Sequence, residues 1–169
     1  MTALFRGRTY ATPGLAALGL LAAAPALGGA TCSVAATGVS FGAYVISLAA
    51  PTDSSGNITV TCTYVPPGGA TSVDIVTSLS TGVSGSYSPR QMASGPARLN
   101  YNLFQDATRS LIWGNGLSGT SVSTAGFTVG PGVGNGTRSA SFPVYGRVAP
   151  QQLVQTGAYS DTIVVTVTF

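Results

Sequence analysis

The chain of 169 residues has no lysine, no glutamate and no histidine. Every cation is an arginine, every side-chain anion is an aspartate, and charged residues total 7%, against roughly 25% in average soluble domains. These absences exclude much chemistry. Without histidine or lysine there is neither a serine triad nor a Ser-Lys dyad, and no side chain of ordinary pKa titrates near neutrality. A metal site lacks imidazole donors and has only two cysteines to draw on. A carboxylate pair would have to come from Asp53, Asp74, Asp106 and Asp161. Asp53 and Asp106 sit among turn residues, Asp161 opens the last strand-like run and Asp74 lies within a strand pattern, which are places for backbone hydrogen bonding and pairing. No catalytic residue, cofactor, metal or small-molecule substrate is expected.

Charge of one sign is missing too. The formal +3 includes Arg6 and Arg8 at the N-terminus. Beyond them Arg90, Arg98, Arg109, Arg138 and Arg147 face the four aspartates, a near balance that leaves no footprint for nucleic acid.

Long apolar runs are scarce. The one at residues 14–26 (GLAALGLLAAAPA) is shorter than the roughly 20 residues that cross a bilayer. Arg6 and Arg8 precede it, and Gly28-Gly29-Ala30 follows as a small-residue cleavage site before Thr31. Residues 1–30 therefore read as a secretory signal peptide and 31–169 as one mature domain. In an exported chain the only two cysteines, Cys32 and Cys62, are expected to form a disulfide. Closing a loop of that length stabilises a fold by roughly 3–4 kcal/mol in the chain-entropy model.

What is abundant is glycine, 23 residues, together with Ser, Thr and Val. Such a composition suits short strands joined by tight turns. Strand-like runs are predicted at residues 31–36, 39–41, 45–48, 58–64, 73–79, 99–105, 127–129, 139–148 and 161–169, with a further return strand beginning at 111–113. Residues 51–57 and 66–69 read as turns, and the Ser/Gly-rich stretch after Leu79, through Tyr87, Arg90 and Met92, as a loop. The run ITVTCTY sets Ile58, Val60, Cys62 and Tyr64 on one face and three threonines on the other. No apolar stripe of helical period persists beyond the leader, so the fold class is all-β, an antiparallel sandwich or barrel. Gly114-Asn115-Gly116-Leu117-Ser118-Gly119 matches a phosphate-loop pattern but lacks a strand before it and a helix after it, and reads as a hairpin loop. The last run places Ile163, Val165, Val167 and Phe169 on one face. On periodicity alone it is either an ordinary buried strand or an edge to which a partner adds a strand.

Several short patterns, taken in order, resemble one family. They are Cys32-x-Val34, Gly38-Val39-x-Phe41-Gly42-x-Tyr44, Gly56-x-Ile58-x-Val60-x-Cys62 and Leu79-Ser80-x-Gly82. Gly85-Ser86-Tyr87-x-x-Arg90-x-Met92, Leu99-x-Tyr101-Asn102-Leu103-Phe104-x-Asp106 and Trp113-Gly114 follow. Val144-Tyr145-Gly146-Arg147, Gly157-x-Tyr159-x-Asp161-Thr162 and Val165-Thr166-Val167-x-Phe169 complete the series. Together they resemble the spore coat protein U domain family, which includes subunits of archaic chaperone–usher pili.

The resemblance implies an incomplete immunoglobulin-like antiparallel β-sandwich, completed by a donor strand. It implies a Cys32–Cys62 bond and a periplasmic pilus chaperone, an outer-membrane usher and other pilin subunits as partners. The site would be a strand-pairing edge at Ile163, Val165, Val167 and Phe169, with the Phe169 carboxylate as a chaperone anchor. The product would pass through the periplasm to a fimbrium on the cell surface. Cleavage before Thr31 leaves one residue ahead of Cys32, too few to donate a strand, so a tip or terminal subunit is expected rather than a repeating shaft subunit. Two alternatives accompany this reading: a protective coat protein, and a carbohydrate-binding module with exposed tyrosines and Trp113 as stacking groups. From the inventory of ionisable groups, the purified chain should show no hydrolytic turnover. Activity abolished by a single Asp→Asn substitution would overturn that expectation.

Overall fold

A computed structural model of the chain describes residues 2–10, as backbone, and residues 29–169. The apolar leader run at 14–26 lies outside the described residues. Ten strands are described: β1 (Thr2–Tyr10), β2 (Gly29–Thr37), β3 (Val39–Ser40), β4 (Thr52–Val65) and β5 (Thr71–Leu79), then β6 (Arg90–Ser94), β7 (Ala97–Phe104), β8 (Ser123–Val129), β9 (Thr137–Val148) and β10 (Ser160–Thr168). Two short 3-10 turns, Gly82–Ser84 and Gly134–Gly136, are the only helical pieces among the described residues.

The strands form two layers. One runs β2-β4-β9-β7-β6 and the other β8-β5-β10-β1-β3, joined where Ser160 opposes Ala93. All pairs are antiparallel except β1 with β10. The alternation in β4 does what its pattern dictates. Ile58, Val60 and Cys62 are buried, whereas Thr61 and Thr63 lie on the outer face and exchange hydroxyl hydrogen bonds with Ser139 (2.8 Å) and Thr137 (3.2 Å) of β9. Ile58 and Val60 join Leu99, Leu103, Phe142, Val144 and Trp113 in the core between the layers. Cys32 and Cys62 are directly opposed on β2 and β4 and are bonded.

The expectation of an all-β antiparallel sandwich holds, and four local readings are corrected. Residues 45–48 are a turn, closed by Leu48 N donating to Val45 O (3.2 Å), with Val45, Ile46 and Leu48 exposed. An apolar run without a neighbouring strand to bond remains a turn. Residues 51–57, expected as a turn, mostly belong to β4, whose ladder with β9 continues to Thr52↔Val148. Gly56 fits there because a Cβ would run into the carbonyl oxygen of Thr37 and into Val39. Residues 111–113 make only isolated bridges, to Phe104 and Ser121. The strand β6 falls within the expected loop: its inward set is Arg90 and Met92, and an inward arginine disguises the alternation.

Arg90 is fully buried. Its Nε and Nη2 donate to the Ser80 carbonyl (3.0 and 2.9 Å), Nη2 also to the Trp113 carbonyl (2.6 Å), and Nη1 to Asn102 Oδ1 (2.8 Å). One planar guanidinium thus satisfies backbone acceptors of two loops and fastens both to β7. Replacing Arg90 by Met keeps comparable bulk but orphans buried carbonyls, at about 2–4 kcal/mol of stability. Urea unfolding checks this; a loss no larger than that of an exposed Arg98→Met would show that the contacts do not matter.

Candidate functional site

The site is the side of β10 opposite its ladder with β5. Ile163, Val165 and Val167 point into the core and are inaccessible to solvent, and Phe169 is half-buried against it. On one side, Val165 to Thr168 of β10 pair with Leu79 to Val76 of β5. On the other side lies β1, parallel to β10 through nine consecutive register positions from Thr2↔Ser160 to Tyr10↔Thr168. The far edge of β1 reaches β3 at Thr2↔Ser40 and Ala3↔Val39. Take β1 away and the backbone of β10 faces a gap before β3, with a row of peptide groups unpaired above the core.

The start of β10 is anchored by polar contacts. Asp161 is buried. Its carboxylate accepts from Tyr101 Oη (2.7 Å), Val83 N (2.9 Å) and Thr162 N (2.8 Å). Gly82, at φ +70°, lies so close to this carboxylate that any side chain would collide with it. Ser80 then bonds Val164 twice: its N–H donates to the Val164 carbonyl (3.0 Å), and its hydroxyl accepts from Val164 N (2.9 Å). These contacts carry β10 from its single bridge with β6 to its ladder with β5. Nothing in the sequence assigns a role to Leu79-Ser80-x-Gly82 or Tyr101, whereas Asp161, expected to bond backbone where the last strand opens, accepts from Val83 N and Thr162 N. Their joint function becomes visible only when residues distant in the chain meet, since 60 positions separate Tyr101 from Asp161 and 84 separate Ser80 from Val164.

Beyond the start of β10 a mostly apolar cleft of about 480 Å³ opens between residues 42–46 and 154–159, with Tyr44, Val45, Ile46, Val154 and Tyr159 in its walls. Tyr44 ties these two loops together, donating to the Ala149 carbonyl (2.9 Å) and accepting from Gln152 N (2.8 Å). Trp113, a stacking group on the carbohydrate-binding alternative, is fully buried. Its indole donates to the Thr77 carbonyl (3.1 Å) and its ring lies 6.5 Å from that of Phe142; a large aromatic gains more from the core than from solvent.

Asp53 and Asp106 are also engaged structurally. Asp53 takes Arg147 in a two-pronged ion pair (2.7 and 2.8 Å) and Arg109 at 3.3 Å. The Arg147 hydrogen bond holds its carboxyl below the usual range. Asp106 closes its own turn through Ser110 N and Leu111 N. Among the described residues no group of three or more His, Cys, Asp or Glu is placed to hold a metal.

With this geometry established, comparison with known proteins identifies the class. The family model described as Spore Coat Protein U domain matches residues 17–166. The chain belongs to the spore coat protein U domain family. It is 41% identical to Protein U of Myxococcus xanthus over 71 residues, which is 42% of this chain and 34% of that protein. Among solved structures it resembles a chain of the chaperone–tip adhesion subunit pre-assembly complex from the archaic chaperone–usher Csu pili of Acinetobacter baumannii. The TM-score is 0.51 at 26% identity, covering 83% of this chain and 40% of that one. The chain therefore spans well under half the length of either relative.

Burial and then the neighbouring Asp161 carboxylate push the Tyr101 hydroxyl well above its ordinary ionisation range. A raised pKa in the folded state means that the stabilisation is complete below the unfolded value, about 10 for a phenol, and is lost as pH rises beyond it. Unfolding free energy should therefore decline above about pH 10, and Tyr101→Phe should make that decline shallower. Urea midpoints across the alkaline range measure both slopes; equal slopes would show that Tyr101 does not contribute.

Proposed function

We propose that this chain is a non-enzymatic structural subunit of a chaperone–usher surface pilus, and that its β10 edge accepts a complementing strand. The observation that carries the reading is that the space between β10 and β3 is filled by residues assigned from sequence to a leader. Without that segment a buried apolar row and an unpaired edge remain, and another chain must cover them. Family membership and the likeness to a chain of a chaperone–subunit complex support the same reading.

On this reading Ile163, Val165, Val167 and Phe169 form the floor of the acceptor groove. A periplasmic chaperone first supplies the missing strand. Other pilin subunits replace it at an outer-membrane usher, and the product reaches the cell surface through the periplasm. Backbone bonds supply affinity, and alternate side chains set register, because a slip of one residue turns every apolar group outward. The short stretch between the proposed cleavage point and Cys32 favours a tip or terminal position. A protective coat, suggested by the family's description, would need no chaperone.

Co-expression with the cognate chaperone should give a stable one-to-one periplasmic complex. Val167→Asp places a charge on the groove floor and should abolish recovery of that complex. Thr168→Asp, on the exposed alternate face, should reduce it little. Free accumulation of the wild-type chain without chaperone, or equal capture of both variants, would sink the proposal and favour the coat.

A further inference from the structure

The layer that holds β10 ends on its other side at β8, in the order β8-β5-β10, and among the described residues no strand pairs with the outer side of β8. Outer strands are normally shielded by charged residues, by proline, by a bulge or by being very short. The seven residues of β8 (STAGFTV) include no charge and no proline. Their register with β5 runs unbroken from Thr71↔Val129 to Thr77↔Ser123. Ala125 and Phe127 pack their side chains on the core, so the strand is held in place with a row of peptide groups turned outward. Such a row is a template for one more strand.

The charge beside this edge selects the strand that fits it. Asp74 of β5 stands directly opposite Gly126 of β8, and both are exposed on the outer face. A Cβ on Gly126 would come within 2.9 Å of Asp74 Oδ1, so the carboxylate leans across the bare glycine toward the edge. Asp53 is held by two arginines, Asp106 by its own turn and Asp161 by Tyr101. Among the described residues Asp74 has no hydrogen-bond or ion-pair partner. An added strand sets one residue opposite Gly126, two strand spacings or about 10 Å from Asp74. Since the glycine between them carries no side chain, a long cationic side chain at that position reaches the carboxylate, whereas an acidic one is repelled by it.

We propose that the β8 edge docks an extended segment of another protein, one that carries an arginine or lysine opposite Gly126. Backbone bonds to β8 hold the segment, and the ion pair with Asp74 fixes its register and its composition. A second copy of this chain is the poorer occupant. Two β8 strands paired antiparallel about Gly126 would bring glycine against glycine at roughly 5 Å. The two Asp74 carboxylates leaning over those glycines would then face each other, and like charges so placed destabilise a sheet. β5 and β10 stand between this edge and the far side of β10. The site is therefore separate from the acceptor groove, and neither needs the other.

The test uses the full chain, isotope-labelled, refolded under oxidising conditions and titrated at low salt while amide NMR shifts are followed. The probes are capped synthetic peptides of the form Thr-Val-Thr-X-Thr-Val-Thr, with arginine, alanine or aspartate at X. Amides of residues 124–128 should move, and the arginine peptide should bind about fivefold more tightly than the alanine peptide, with the aspartate peptide weakest. Asp74→Asn, an isosteric change on an exposed face, should erase the preference for arginine, and Asp74→Lys should turn it in favour of aspartate. Raising the salt to about 0.5 M should shrink the preference in the parent chain. Absence of binding, equal affinity for the three peptides, or shifts at residues 160–168 with none at 124–128 would overturn the proposal. So would self-association through residues 124–128 that Asp74→Asn strengthens, because a second copy would then be the occupant.

Discussion

A strand in the middle of a sheet must have both edges bonded, and β10 is such a strand. Its side chains complete the core, so it cannot move away from the domain. One edge is satisfied by β5. The other has no partner within residues 29–169 and is met by β1 alone. Buried peptide groups without partners are costly, and that single constraint decides what the domain can do. On the proposed reading the domain borrows a strand for that position, and whichever chain supplies it covers the apolar row of β10.

The buried polar contacts fix the position of β10 within the sheet. Asp161 with Tyr101, Ser80 with Val164, and Arg90 with the carbonyls of Ser80 and Trp113 form one connected set around the start of β10. Ser80 belongs to both halves of it, bonding the guanidinium through its carbonyl and the strand through its hydroxyl. Such a set specifies a single arrangement more sharply than apolar packing does, provided every member is satisfied. It holds the strand at the end where its neighbour changes from β6 to β5.

Much of this was legible in the sequence. The alternation in β4, β5, β7, β9 and β10 located those strands because each buries one face and wets the other. The cysteine pair and the apolar face of β10 followed from pattern and composition. Hidden features share a physical cause, which is that long-range pairing overrides local preference. Pro51, Asp53 and Gly56 look like turn residues, yet the ladder with β9 carries β4 through Asp53 and Gly56. Val45, Ile46 and Leu48 look like a strand, but among the described residues no strand pairs with them. Arg90 conceals β6 because a buried cation defies the expected pattern, and its justification, three carbonyl and amide oxygens from distant segments, has no local signature.

The ion pairs around Asp53 have a bearing on the environment the protein tolerates. Arg109 and Arg147 both close on that one carboxylate, so three of the chain's few charges are spent within the domain. A fibre or layer built from such units would be held by backbone ladders and apolar side chains and would draw little on Coulomb attraction between neighbours. Salt screens exposed charge pairs and leaves those forces largely intact. Cohesion of such an assembly would therefore depend little on the salt around it.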